Sequence, residues 1–104
     1  MGAMEVPKHY RKIGELYPEF ADTHEKLASV ARSSGPIDKK TAHLIQLAAA
    51  IAVRSEGSVH SHARRGIEAG ATADEVRHVA LLLVTTIGFP AVAAALDWLG
   101  DVVD

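Results

Sequence analysis

The run Val79-Ala80-Leu81-Leu82-Leu83-Val84, extended to Ile87, constrains the fold of this chain more than any other stretch. It follows Thr72-Ala73-Asp74-Glu75, a Thr-x-x-Glu capping box that opens a helix, and the pattern predicts one helix over residues 73–87. On that helix, apolar side chains cover nearly the whole circumference. A helix that is apolar all round has to be covered all round. The chain has 104 residues, and a domain of about that size buries only ~60–65% of its unfolded surface. Burial between subunits resolves the difficulty, so the expectation is a homo-oligomer. The run is well short of the ~20 apolar residues of a membrane span, and no membrane partner is predicted.

Proline and glycine cut the rest into further helices. Pro7 suits a first helical turn, and Tyr10, Ile13, Leu16 and Tyr17 follow at helical spacing until Pro18 ends or kinks the helix. Phe20, His24, Leu27, Val30 and Ala31 mark a second helix, stopped by Ser33-Ser34-Gly35-Pro36. Asp38 is a plausible N-cap for a third helix to about Arg54, with Leu44, Leu47, Ala48, Ile51 and Ala52 on one face. Glu56-Gly57 breaks the pattern. Ser58 or Ser61 then caps a helix ending at Ala69, with Gly70 just past its end. After Gly88-Phe89-Pro90, a last helix runs from Ala91 to about Val103. The prediction is an all-α bundle of six helices, in one domain over residues 5–104. Met1-Gly2-Ala3-Met4 reads as a tag scar.

The composition, 48% hydrophobic and 23% charged, is that of a soluble globular protein. A net charge of −2 argues against a nucleic-acid surface, which needs a basic patch. There is no cysteine, which removes disulfides and thiol redox chemistry together. With no signal peptide in view, a cytoplasmic location is expected. Many small side chains point to closely packed helices.

Six histidines draw attention. His60 and His62, two residues apart, point about 200° apart on a helix and cannot face one site together. The helical zinc spacing His-Glu-x-x-His is absent. Ser58 and His62 stand at i and i+4 and share a face, either as nucleophile and base or as a capping serine beside a histidine. Glu56 suits acid–base work or favours the helix N-terminus. Arg64 and Arg65 either meet an anionic substrate or form a solvated face with Glu68. His78, the polar residue beside the apolar run, is expected to be buried and paired. Trp98 and Phe89 are expected to anchor the core or an interface.

Taken together, Arg54-Ser55-Glu56-Gly57-Ser58-Val59-His60-Ser61-His62, Ala69-Gly70-Ala71-Thr72 and Asp74-Glu75-Val76 resemble the carboxymuconolactone decarboxylase and AhpD-like alkylhydroperoxidase family. Its redox branch carries Cys-x-x-Cys-x-x-x-His, then Gly-Ala-Thr-x-x-Glu. The chain matches at His62, Gly70, Ala71, Thr72 and Glu75, and the likeness covers about Asp38 to Trp98. Both cysteine positions are serine, Ser55 and Ser58. The family's relay glutamate, nineteen residues before the motif histidine, is His43, and a second glutamate position is His78. The resemblance implies an all-α fold assembled into trimers or hexamers, and a site near residues 55–58 faced by residues 43 and 62.

Three readings follow. The first is a cofactor-independent acid–base enzyme on a small organic acid or lactone, with His62, His43, Ser58 and Glu56 as its groups. The second is a divalent-metal site on His43 and His62, completed by His60, His78 or Glu56. The third is an oligomeric scaffold that has lost its site.

Overall fold

The computed structural model describes residues 8–103, with side chains from Tyr10 onward. Pro7 and the Met1–Met4 segment lie outside the described residues. Those residues are helical almost throughout, without a strand, and form two bodies, residues 8–37 and residues 38–103.

The first body is a helical hairpin, α1 (Lys8–Leu16) and α2 (Pro18–Ser33). Pro18 does not simply end the first helix. It occupies the first turn of the second, where its missing N–H costs nothing and its fixed φ suits the helix. No residue of α2 is buried. Tyr17, Phe20, Leu27 and Val30 are all exposed, and a groove of about 500 Å³ opens along Tyr10, Ile13, Phe20 and Ala21.

The second body holds α3 (Lys39–Ala52), α4 (Glu56–Glu68), α5 (Ala73–Leu82), the single turn α6 (Val84–Ile87) and α7 (Phe89–Leu99). Helix α4 packs against α3, α5 and α7, and its contact with α3 is the most extensive. Leu47, Ile51, Val59, Val76 and Leu99 fill the core, with Ala63, Ala80 and Ala95 fully buried among them. These small side chains sit in the core between the helices. Trp98 packs on this core from the side.

Asp38 caps α3, accepting from the Thr41 N–H at 3.4 Å. Thr72 caps α5 in a reciprocal box: its hydroxyl accepts from the Glu75 N–H at 3.0 Å, and the Glu75 carboxylate accepts from the Thr72 N–H at 2.9 Å. Glu75 also pairs with Lys40 across to α3, at 3.3 Å. The Thr72 N–H, then Lys40, hold the Glu75 carboxyl below its ordinary value, and the Thr41 bonds do the same for Asp38.

Three boundaries differ from the sequence pattern. The cap of α4 is Ser55, not Ser58 or Ser61: its hydroxyl accepts from the Ser58 N–H at 3.4 Å. The apolar helix is not continuous to Ile87. At Leu83 the N–H bonds the Ala80 carbonyl, three residues back rather than four, which ends α5 without any proline or glycine to signal it. Helix α7 starts at Phe89, earlier than Ala91, because Pro90 fits its first turn, and ends at Leu99 rather than Val103. The apolar stretch is also not covered all round within the chain: Val76 and Ala80 are buried, whereas Leu81, Leu82 and Val84 are exposed. Phe89, expected as an anchor, is 68% exposed. No helix among the described residues is long and apolar enough to cross a membrane.

Helices α3 and α4 end in the same motif. The Ser55 N–H bonds the Ala50 carbonyl and the Arg54 N–H that of Ile51; the Ala71 N–H bonds Gly66 and the Gly70 N–H bonds Ile67. Each is a six-to-one bond enclosing a five-to-two bond, around a left-handed residue. At α4 that residue is Gly70, φ 108°, but at α3 it is Arg54, φ 57°.

Two predictions follow from these ends and caps. Left-handed backbone costs a side-chain-bearing residue about 1–2 kcal/mol, part of which glycine's greater unfolded-state freedom takes back. Arg54→Gly should therefore stabilise by about 0.5–1 kcal/mol and Gly70→Ala destabilise by at least ~1 kcal/mol, measured by urea denaturation. The second concerns acid. Carboxyls held below their ordinary values add stability that is full above those values and is lost as pH falls from them through the lowered ones. Glu75→Gln keeps the box but removes the charge, so wild type should be the more stable at neutral pH, with the two converging in thermal melts as pH falls below the lowered Glu75 value.

Candidate functional site

The tight turn between α3 and α4 makes them an antiparallel pair. His43 stands one turn into α3, and His62 lies in the middle of α4. His62 and Gly66 share one face of α4, one turn apart. A Cβ at Gly66 would lie 3.6 Å from Leu44 Cδ2 and 3.9 Å from the His43 Cβ, so the α4 backbone runs directly beneath this part of α3. With no side chain in between, the two imidazoles meet: His43 Nδ1 lies 3.3 Å from His62 Nδ1. The ring centroids are 5.6 Å apart and the planes are tilted by 36° to each other. His43 is 1% exposed, and His62 is half-buried.

An Nδ1···Nδ1 hydrogen bond requires one nitrogen to carry the proton and the other to offer its lone pair. Protonating both rings at Nδ1 breaks it. The pair therefore holds one shared proton, and the tautomer of each ring is tied to that of the other.

The remaining sequence candidates divide between this pair and elsewhere. Ser55 and Ser58, at the family's cysteine positions, flank the first turn of α4, where the Ser55 hydroxyl serves as cap. Ser58 is half-buried. His60 does not join the pair. It points away from His62, as their two-residue spacing requires, and its Nε2 lies 3.1 Å from Asp101 Oδ2 and 3.9 Å from Glu56 Oε2. The metal set of His43, His62 and His60 is thus not assembled. Among the described residues, the group of three donor atoms within reach of one ion is Glu56, His60 and Asp101. His78 is exposed on α5 rather than buried.

Two features escaped the sequence reading. Arg64 is 9% exposed, not part of a solvated face, because α4 is covered by three helices. Asp101 reaches His60 across 41 residues, and no local spacing signals that contact. Near His43, one turn further along α3, the Gln46 side-chain oxygen is buried without a hydrogen-bond partner.

A protein from Haemophilus influenzae, carrying the name "Uncharacterized protein", is 35% identical over 58 residues, a match covering 56% of this chain and 51% of the relative. The chain spans about half the length of that relative. No solved structure matches it. The family described as "Carboxymuconolactone decarboxylase family" matches residues 18–101. With residues 18–101 matched, the chain belongs to the carboxymuconolactone decarboxylase family.

Proposed function

We propose that this protein is a cofactor-independent acid–base enzyme acting on a small organic acid or lactone, with the His43–His62 pair as its proton-handling group. The observation that carries the reading is the 3.3 Å contact between a buried and a half-buried imidazole. His62, the more accessible ring, faces the substrate. When its Nε2 takes up a proton, its Nδ1 proton passes to His43 Nδ1; the reverse transfer readies it to donate. In a decarboxylation, the bond from carbon to carboxylate breaks, CO₂ leaves, and His62 delivers its Nε2 proton to the substrate carbon skeleton. The helix dipole at the first turn of α4 favours an anionic group. Thiol peroxidase chemistry has no place here, since the chain contains no cysteine. The family match crosses both bodies, which supports reading residues 5–104 as one domain.

We also infer that the protein assembles as a homo-oligomer, a trimer or hexamer. Leu81, Leu82, Val84 and Phe89 form an exposed apolar set on the body of residues 38–103, and a second copy is the simplest cover for such a patch.

Two tests follow. CO₂ release from a γ-lactone bearing a carboxylate should fall about 10²–10⁴-fold in His62→Ala, the usual contribution of a positioned acid or base. Release unchanged in that variant, or absent from the wild type across lactone and keto-acid substrates, would reject the acid–base reading in favour of a scaffold. For assembly, Leu82→Glu should lower the mass seen by light scattering. Because Leu82 is 62% exposed within the chain, the unassembled fold should change by no more than ~0.5 kcal/mol. A monomeric wild type at micromolar concentration would refute the oligomer.

A further inference from the structure

On the side of α4 away from His62, Glu56 and His60 stand one turn apart. Asp101 comes to them from the turn after α7. We propose that Glu56, His60 and Asp101 form a binding site for a divalent cation of borderline hardness, with Zn²⁺ as the type ion.

The geometry is the first argument. One nitrogen and two carboxylate oxygens lie within 4.8 Å of one another. Three ligands bound to zinc at about 2.0–2.2 Å in a tetrahedral site lie roughly 3.4 Å apart. The His60–Asp101 separation, 3.1 Å, and the His60–Glu56 separation, 3.9 Å, bracket that value. Small rotations of exposed carboxylates close the set, and the fourth position stays open to water.

The second argument is charge. Both carboxylates converge on the same ring nitrogen. Nε2 carries at most one hydrogen, and Asp101 takes it. Glu56, at 3.9 Å, is beyond hydrogen-bond distance. Among the described residues, the ion pairs of Glu56 and Asp101 are with His60, and neither has one with a lysine or arginine. Two acids therefore share one imidazole, and a neutral imidazole offers them a hydrogen rather than a charge. A divalent ion replaces that single hydrogen, binds the ring lone pair and neutralises both acids. An imidazole with two carboxylates is a donor set that zinc and its neighbours accept and that magnesium, which prefers all-oxygen octahedra, does not favour.

The third argument is access. The side chains are 25% exposed at His60, 54% at Glu56 and 63% at Asp101, so an ion reaches them without opening the core. A bound ion would also clamp the turn after α7 onto the first half of α4. This site is independent of the His43–His62 reading, because it uses the other face of the helix.

The test is calorimetric titration of the tag-free chain with ZnCl₂, with MgCl₂ in parallel. The expected result is one Zn²⁺ per chain, no comparable Mg²⁺ binding, and affinity reduced at least about tenfold in both Asp101→Asn and His60→Gln, with helicity unchanged by circular dichroism. His43→Gln should bind zinc as the wild type does. Cobalt gives a second readout: the wild type should develop the visible absorption of four-coordinate Co²⁺, and Asp101→Asn should not. Absence of zinc binding overturns the proposal. So does zinc binding that survives Asp101→Asn and His60→Gln, or that is lost in His43→Gln, since either result puts the ion elsewhere.

Discussion

Two helices bring one side chain each into hydrogen-bond contact only when the turn between them fixes their register, and here that turn is Val53 to Ser55. Ser55 works in both directions. Its N–H closes the end of α3 on the Ala50 carbonyl, and its hydroxyl opens α4 by accepting from the Ser58 N–H. In an antiparallel pair, residues placed symmetrically about the turn come face to face. Leu47 and Val59 are one such pair and are both fully buried. His43 and His62, one turn further out on each helix, are close to another, centred within one residue of the same point. Loosening the turn by one residue would rotate α4 by about 100° and separate the imidazoles. The left-handed backbone at Arg54 is the local cost of that register.

The same turn explains what the loss of cysteine does. At Ser55 the side-chain oxygen has a structural task, because helix N-termini leave N–H groups that want acceptors. A hydroxyl serves this well and cannot be oxidised to a disulfide. His43 in place of a carboxylate changes the chemistry again. A carboxylate beside His62 would hold it as a cation. An imidazole there offers a lone pair or a hydrogen, depending on tautomer, and couples the two rings through one shared proton. The thiols are absent from the sequence, and a pair of imidazoles in contact stands beside the corresponding turn.

How far the sequence reveals this depends on the range of each interaction. The caps at Asp38 and Thr72 and the stop at Gly70 are local, and the residue types announce them. The divergence of His60 and His62 follows from helix geometry alone. The convergence of His43 and His62 was suggested by the family resemblance, and the structure brings them to 3.3 Å. The cap at Ser55 was missed because three serines compete within seven residues, and only the backbone decides among them. The break at Leu83 was missed because a three-residue hydrogen bond can end a helix inside any apolar run. The contact of Asp101 with His60 depends on how α7 packs on α4, which no local pattern encodes. Burial of the apolar run was predicted all round, but one chain supplies helices for one side only.

The alternation along α4 accounts for the separation of its chemistry. Glu56 and His60 lie one turn apart, as do Ser58 and His62, and the two pairs are offset by two residues, about 200° around the axis. One pair meets Asp101 at the surface. The other faces α3, where the absence of a side chain at Gly66 brings the backbone close and His43 is buried. The helix itself, with Val59 and Ala63 fully buried, separates the two. A charge change on the exposed side is therefore screened by solvent and by a helix diameter from the shared proton on the other. These four polar residues within seven positions thus form two environments, one wet and doubly acidic, the other closed on its inner side by the buried His43.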